Sequence, residues 1–347
     1  MTTLVFGSCM MHDGKNGMSV WADALAHRPD WLLLGGDNVY LDYFPTLGAP
    51  AGWTVEKFAT ELFERYREQF HTRSLRALAN SIPAGQVIGT WDDHDFCWNN
   101  CYGADTKHDV PKKRRIARVL FHHYFQALNL RPLPAALPAI PLGVQSLLDH
   151  PFADQETYNA FDLDPFRVLV CDGRYYRERW DGSGATNTAS LLGATQEAWL
   201  LNEIKQAQRP ILIISGSTLS GASDQAWDYY TDFYIKRLQP ALKNKVALYL
   251  GGDIHKNRLH QHPNTKTTEV VSSAVRVPFS SRRYGVIDFN TKEAKIFLYR
   301  RGEVDTSGIL DFGTGKLAMA MAEVQSLSTS RAAAQRRAAV MRIRGKK

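Results

Sequence analysis

Apolar runs along this chain are short, recur over most of its length, and end in glycine and carboxylate. Thr3 to Phe6 reads as a first buried strand that leaves through Gly7-Ser8-Cys9. Trp31-Leu32-Leu33-Leu34 is a fully apolar strand that ends in Gly35-Gly36-Asp37-Asn38-Val39-Tyr40-Leu41-Asp42. Gln86 to Thr90 is a third, followed by Trp91-Asp92-Asp93-His94-Asp95. Phe166 to Cys171, Ile211 to Ile214 and Val246 to Leu250 continue the series, and the last ends in Gly251-Gly252-Asp253-Ile254-His255. Such runs, apolar without alternation, mark strands covered on both faces. Further strand-like segments lie at Glu269-Val270-Val271, Tyr284 to Phe289 and Ala294 to Arg300.

Between them the apolar spacing turns helical. Val20 to Ala26 is a short helix, and Val55 to Leu78 a long one, with Phe58, Leu62, Phe63, Tyr66, Phe70, Leu75 and Leu78 on one face. Pro111 to Leu130 follows, with Pro111 suited to a first turn. Gly193 to Gln208 puts Trp199 and Leu200 inward, and Asp224 to Leu242 and Lys316 to Leu327 complete the helices. Residues 131–165 are proline-rich and read as an insertion or cap over the sheet. Alternating strand and helix predict a layered α/β fold with helices on both faces. No internal repeat or linker divides the chain, so 1–328 reads as one domain and 329–347 as a basic tail.

Composition changes this picture in three places. The chain carries a net charge of +7. Residues 331–347 hold Arg331, Arg336, Arg337, Arg342, Arg344, Lys346 and Lys347 and no acid, which accounts for the whole excess. The basic balance therefore describes a tail, and nucleic acid is not the favoured partner. No apolar run approaches the roughly 18 residues of a membrane span. Met1-Thr2-Thr3 leads directly into Leu4-Val5-Phe6 without a basic n-region, so the expected location is cytoplasmic, or exported if a leader was removed. Cys9, Cys97, Cys101 and Cys171 are too few for a disulfide framework in a chain of 347 residues and are expected to be free thiols.

The polar clusters at the strand ends carry the chemistry. Unpaired buried charge is costly, so these residues belong at the mouth where strands give way to loops, the usual ligand position in an α/β sheet. They deliver Cys9, then Asp37 with Tyr40, then Asp92 to Asp95 with Asn99, then Asp253 with His255. Converging on one edge, they form a ligand set for one softer transition ion together with harder cations. His122 and His123 are adjacent on a helix, point in different directions, and do not suit one shared metal.

Six pieces occur in a telling order: Gly7-Ser8-Cys9; Gly36-Asp37-Asn38-Val39-Tyr40 with Asp42; Trp91-Asp92-Asp93-His94-Asp95 followed by Asn99; Asp172-Gly173-Arg174-Tyr175-Tyr176-Arg177; Gly193 to Leu200 around Gln196 and Trp199; and Gly252-Asp253-Ile254-His255. In that order the chain resembles the PhoD (alkaline phosphatase D) branch of the calcineurin-like metallophosphoesterases. The resemblance implies a four-layer α/β/β/α sandwich that hydrolyses phosphate esters, as an alkaline phosphatase or phosphodiesterase acting on a phosphorylated small molecule. It implies ferric iron with calcium, other divalent metals being alternatives. On the matching positions Cys9, Asp37, Tyr40 and His255 would hold iron, and Asp37, Asn99 and Asp253 calcium. His94 falls on the catalytic histidine, Asp93 stands beside it as a catalytic carboxylate, and Arg174 matches an arginine expected to face phosphate. Arg177 is expected in surface salt bridges. Three departures stand out: no twin-arginine leader, no N-terminal β-sandwich, and Phe96-Cys97-Trp98 where smaller residues are expected to leave a wider pocket. The competing readings are a nuclease or nucleotide phosphodiesterase, and a metal-stabilised binding protein without turnover.

Overall fold

A computed structural model describes residues 1–12, 19–43, 48–180, 188–221, 225–277 and 282–319. In chain order its strands are β1 (Thr2–Met10), β2 (Trp31–Gly35), β3 (Val87–Thr90), β4 (Asn159–Leu163), β5 (Phe166–Val170), β6 (Ile211–Ile214) and β7 (Val246–Gly251). They continue as β8 (Asn257–Gln261), β9 (Lys266–Arg276), β10 (Arg283–Phe289), β11 (Glu293–Arg300), β12 (Glu303–Asp311) and β13 (Leu317–Met319). The helices are α1 (Ser19–Leu25), α2 (Val55–Phe70), α3 (Arg73–Ser81), the single turn α4 (Asp93–Phe96), α5 (Val110–Leu128), α6 (Val144–Leu148) and α7 (Ala194–Gln206). Two short ones, α8 (Thr231–Phe233) and α9 (Gln239–Leu242), flank a π turn over Tyr234–Leu238.

Pairing divides the strands into two sheets. In the first, β1, β2 and β3 run parallel, and β10 to β13 extend the other side of β1 antiparallel. In the second, β5, β6, β7 and β9 run parallel, with β4 and β8 antiparallel at the margins. The sheets join where the end of β1 leaves its first partners and pairs β9, Ser8 with Ser273 and Met10 with Arg276, with a register shift between. Period-two alternation then sorts the side chains. Leu33 packs between the sheets with Phe6, Leu212, Leu248 and Val270, while Leu32 and Leu34 face the helices. Trp21, Phe58, Tyr66 and Tyr124 of α1, α2 and α5 cover the first sheet. Leu200 and Ile204 of α7, with Tyr234 and Leu238, cover the second. The result is a four-layer α/β/β/α sandwich, as the family resemblance implies.

Several boundaries differ from the sequence reading. The helical pattern over 55–78 is two helices, because Thr72 leaves helical geometry (ψ 110°) and caps α3. Residues 131–165 do not lie over the sheet as a cap. Val144, Leu147 and Leu148 join the helix-side core with α5, and Asn159–Leu163 is an edge strand paired to β5. His122 and His123 serve this packing separately, their Nε2 atoms lying 3.1 Å from the Gln155 carbonyl and 2.8 Å from the Pro138 carbonyl. The helix expected over Asp224 to Leu242 begins only at Thr231, and Pro240, which cannot donate and crowds the carbonyl four residues back, follows its π turn. Leu317–Met319 is a strand against β12 and not the start of a helix. The rest of that expected helix, and the basic tail, lie outside the described residues. The strands β8 and β12 went unread because Asn257–Gln261 has one apolar residue and Glu303–Asp311 is largely polar.

Phe6 pairs opposite Gly285 across β1 and β10, and its ring covers the glycine so closely that an added Cβ would lie 2.1 Å from two ring carbons. Gly285→Ala should therefore cost about 1–3 kcal/mol, the usual penalty for overpacking. Denaturant unfolding measures this, and a loss within error of zero would mean the two sheets yield at this point.

Candidate metal centre

The residues that end β1, β2 and β7 share an unusual backbone. Cys9 (φ 60°), Asp37 (φ 50°), Asp253 (φ 72°) and His255 (φ 53°) all adopt the left-handed region. Each such L-residue costs on the order of 1–2 kcal/mol and persists only where the surroundings impose it, as at functional sites. Here the constraint is close packing of loop on loop. Cys9 N donates to Gly36 O (3.1 Å) and Met10 N to Asp37 O (2.8 Å). A Cβ on Gly252 would meet Gly216 O at 2.6 Å and Gly35 O at 2.8 Å, so three loops touch through bare backbone there. The register shift in β1 falls at Cys9 and aims its thiol into the same space.

Asp37 is the hub of what these loops bring together. Its Oδ2 accepts from Cys9 Sγ (3.3 Å) and from the Tyr40 hydroxyl (3.1 Å), and that hydroxyl lies 3.5 Å from His255 Nε2. Ser273 Oγ is 3.1 Å from Cys9 Sγ and accepts from His255 N at 3.0 Å. Separations of this size are the edges of a first coordination shell with bonds of about 2.0–2.3 Å. Burial pushes the Cys9 thiol, the Tyr40 phenol and the Asp37 carboxyl all above their ordinary ranges, and the neighbouring anionic groups push Asp37 further. A bound cation reverses each of these, since it favours thiolate, phenolate and carboxylate. Thiol, phenol, carboxylate and imidazole thus fit one transition ion.

A second donor group adjoins the first: ligand atoms of Asp37, Asp93 and His94 lie within 4.8 Å of one another. Asp93 Oδ2 accepts from Asn100 N (2.5 Å), while its buried Oδ1 has no hydrogen bond and lies 3.6 Å from Arg174 Nη2. Burial opposes ionisation of Asp93, but Arg174 and His94 hold it below the usual carboxylate range. His94 Nδ1 is 2.6 Å from Asp42 Oδ1, its ring stacks on Tyr40 at 4.2 Å, and its backbone N donates to Asp37 Oδ1 (3.3 Å). Although burial opposes it, the carboxylates of Asp37, Asp42 and Asp93 raise His94 to about 10. Asp95 is structural: it accepts from Asp92 N (2.7 Å), Asn38 N (3.0 Å) and Asn38 Nδ2 (2.5 Å), tying the loops after β2 and β3.

The two arginines lie deeper than the sequence suggests. Arg174 is fully buried; its Nε donates to Asp92 Oδ1 (2.5 Å) and its Nη1 to Gln225 Oε1 (2.6 Å). It is not among the residues lining the cavity. Arg177, expected at the surface, is also buried, against Gln225 (2.7 Å), Ser217 Oγ (3.2 Å) and the Tyr230 ring. A cavity of about 430 Å³ opens over the donors, lined by Tyr40, Asp42, His94, Asn99 and His255, with Tyr43 and Val277 as less polar walls. Asn99 stands exposed at its rim, with its N donating to Asp42 Oδ2 (2.6 Å). Asp253 is half-buried, and its charge acts on Cys9, Arg174 and His255. Phe96 and Cys97 do not narrow this cavity, because both are buried in the helix-side core. All four cysteines are free.

The model of the PhoD-like phosphatase family matches residues 4–326. The chain belongs to that family. Among solved structures, this PhoD-like phosphatase is similar in fold to a dimetal phosphatase from Danio rerio, with a TM-score of 0.53 and 11% identity over 90% of this chain and 99% of that one. A phosphoesterase from E. coli aligns with a TM-score of 0.30 and 13% identity over 92% of this chain and 98% of that one, too loosely to bear on the site. A search of curated proteins returns no match. No helix among the described residues is long and apolar enough to cross a membrane.

Sequence reasoning gave no role to three residues of this cluster. Asp42, quoted only as part of a motif, contacts His94 Nδ1. Ser273 is one of two serines in the otherwise apolar middle of β9, a signal that was available. Gln225, which holds both arginines, carries none. Removing the charge of Arg174 leaves Asp92 and Asp93 without their counter-ion, so Arg174→Met should cost about 3–5 kcal/mol in metal-free protein. Denaturant unfolding measures it; a loss below about 1 kcal/mol would show the carboxylates to be neutralised by other groups.

Proposed function

We propose that this PhoD-like phosphatase hydrolyses phosphate esters of small molecules with metal ions held at the strand ends. The observation that supports it is the cluster in which Cys9 (3.3 Å) and Tyr40 (3.1 Å) meet Asp37 and His255 lies 3.5 Å from the Tyr40 hydroxyl, beside a cavity that His94 also lines. Cys9, Asp37, Tyr40 and His255 would hold ferric iron, as the family resemblance implies, and Asp37, Asn99 and Asp253 would hold calcium through hard oxygen donors. Bound there, such ions supply a water acidic enough to attack phosphorus at neutral pH and positive charge for the phosphoryl oxygens.

The chain's own groups do the rest. Asp42 engages His94 Nδ1, which leaves Nε2 as the nitrogen free to serve the cavity, and stacking on Tyr40 fixes the ring plane. His94 then donates a proton to the leaving oxygen of the ester. Arg174 acts as a positioning residue that clamps Asp92 and Asp93 from beneath. Tyr43 and Val277 face the organic part of the substrate, and the cavity volume of about 430 Å³ suits a small ester.

His94→Asn should lower turnover by roughly a hundredfold with metal content intact, and by less for esters whose leaving group needs little protonation. Unchanged turnover would remove His94 from proton transfer, and loss of metal along with activity would make it a ligand. The phenolate tests the iron. Ferric iron bound by Tyr40 should give concentrated protein a visible charge-transfer band, and Tyr40→Phe should shift or abolish it without unfolding the chain. A colourless, fully active preparation containing only zinc or magnesium would overturn the iron assignment.

A further inference from the structure

Away from the strand ends, β8 and β9 bring three metal-ligating side chains together on the helix-covered face of the second sheet. His260, in β8, and His262, one residue beyond its end, bring their ring centroids within 4.7 Å of each other. His260 pairs directly opposite Glu269. Glu269 is in register with Tyr249 of β7, whose ring packs among the helices. Ligand atoms of His260, His262 and Glu269 all lie within 4.8 Å of one another.

The geometry within this trio is that of a coordination shell. Glu269 Oε2 is 3.3 Å from His260 Nε2 and 3.4 Å from His262 Nε2. Bonds of about 2.0–2.1 Å at the tetrahedral angle require donor separations of about 3.3 Å. Glu269 is fully buried and His262 only 7% exposed. Nε2 of His262 is buried and has the Glu269 carboxylate, 3.4 Å away, as its neighbour. Its other nitrogen, Nδ1, is 3.3 Å from the Tyr234 hydroxyl, the outer contact that orients a ligating ring. Ser220 Oγ, 3.1 Å from Glu269 Oε2 and 3.5 Å from His260 Nε2, marks the fourth corner. His260 is 32% exposed, which leaves a path for an ion to enter.

We propose that His260, His262 and Glu269 bind a divalent transition ion of the zinc class, at a second metal site separate from the one under the cavity. The competitor is Arg258, whose Nη1 lies 3.8 Å from Glu269 Oε2 and whose Nη2 lies 3.4 Å from His260 Nε2, but these atoms donate to Ser220 O at 2.6 Å and to Ser220 Oγ at 3.0 Å and so have partners of their own. The role of the site follows from what Glu269 already holds. Leu219 N donates to its Oε1 (2.7 Å) and Ser220 Oγ to its Oε2, so the ion clamps the loop after β6 to the sheet margin. Ser217, in the same loop, is the residue that receives Arg177.

Full-length protein is stripped with chelator, dialysed and titrated with Co²⁺, with bound ions counted by native mass spectrometry and the visible spectrum recorded. Wild type should bind one ion more than His260→Gln, with the absorption of a tetrahedral nitrogen-oxygen site, and His260→Gln should weaken that ion about tenfold or more. Glu269→Gln should lose the same ion. His260→Gln, at a partly exposed position, keeps the comparison valid where the buried variant fails to fold. Equal counts and equal spectra for wild type and His260→Gln would overturn the proposal, leaving the trio as an ion pair of Glu269 with Arg258.

Discussion

The structure is organised around carboxylates that have been taken out of water at a single sheet edge. Asp37, Asp92, Asp93 and Asp95 are each no more than 2% exposed, within one stretch and the loop beside it. Like charges so placed repel strongly and cannot all ionise without compensation. Every one has a different solution. Asp95 accepts three neutral N–H donors. Asp92 takes Arg174, and Asp93 shares it while accepting from Asn100 N. Asp37 accepts from one fixed donor, the His94 backbone N–H, and otherwise from a thiol and a phenol, groups that give up a proton when a cation arrives.

That difference separates scaffold from chemistry. Asp95 is closed by fixed partners and holds the loops after β2 and β3, while Asp92 is held by Arg174 through one oxygen. Asp37 and the unbonded oxygen of Asp93 belong to the donor group beside the cavity that His94 lines. The left-handed backbone at Cys9, Asp37, Asp253 and His255 is the cost of aiming four side chains into one small volume from three strands. Arg174 and Arg177 then form a floor of buried positive charge beneath the donors, joined through Gln225.

Much of this was legible in the sequence, for a physical reason. A strand apolar on both faces must shed its charges where it ends, so Leu32 to Leu34 followed by Asp37, and Leu248 to Leu250 followed by Asp253, announce both the sheet and the site. The arginines were not legible, because nothing local distinguishes a buried guanidinium paired across 82 residues from a surface one. Mixed polar strands such as β8 were missed for the converse reason: their stability comes from pairing with a neighbour and not from a pattern of their own. The edge strand β4 was hidden in a proline-rich segment whose composition says turn, while its ladder to β5 says otherwise.

The dependence of this site on cation charge is most directly tested by thermal unfolding of wild type and Asp37→Asn, each measured with metal bound and after stripping. If Asp37 is a buried charge that only a cation neutralises, the substitution should lower the midpoint of loaded protein and leave stripped protein equally or more stable, since it then removes a repulsion. A loss of stability of the same size in both states would contradict this, and would make Asp37 a hydrogen-bonding scaffold residue like Asp95.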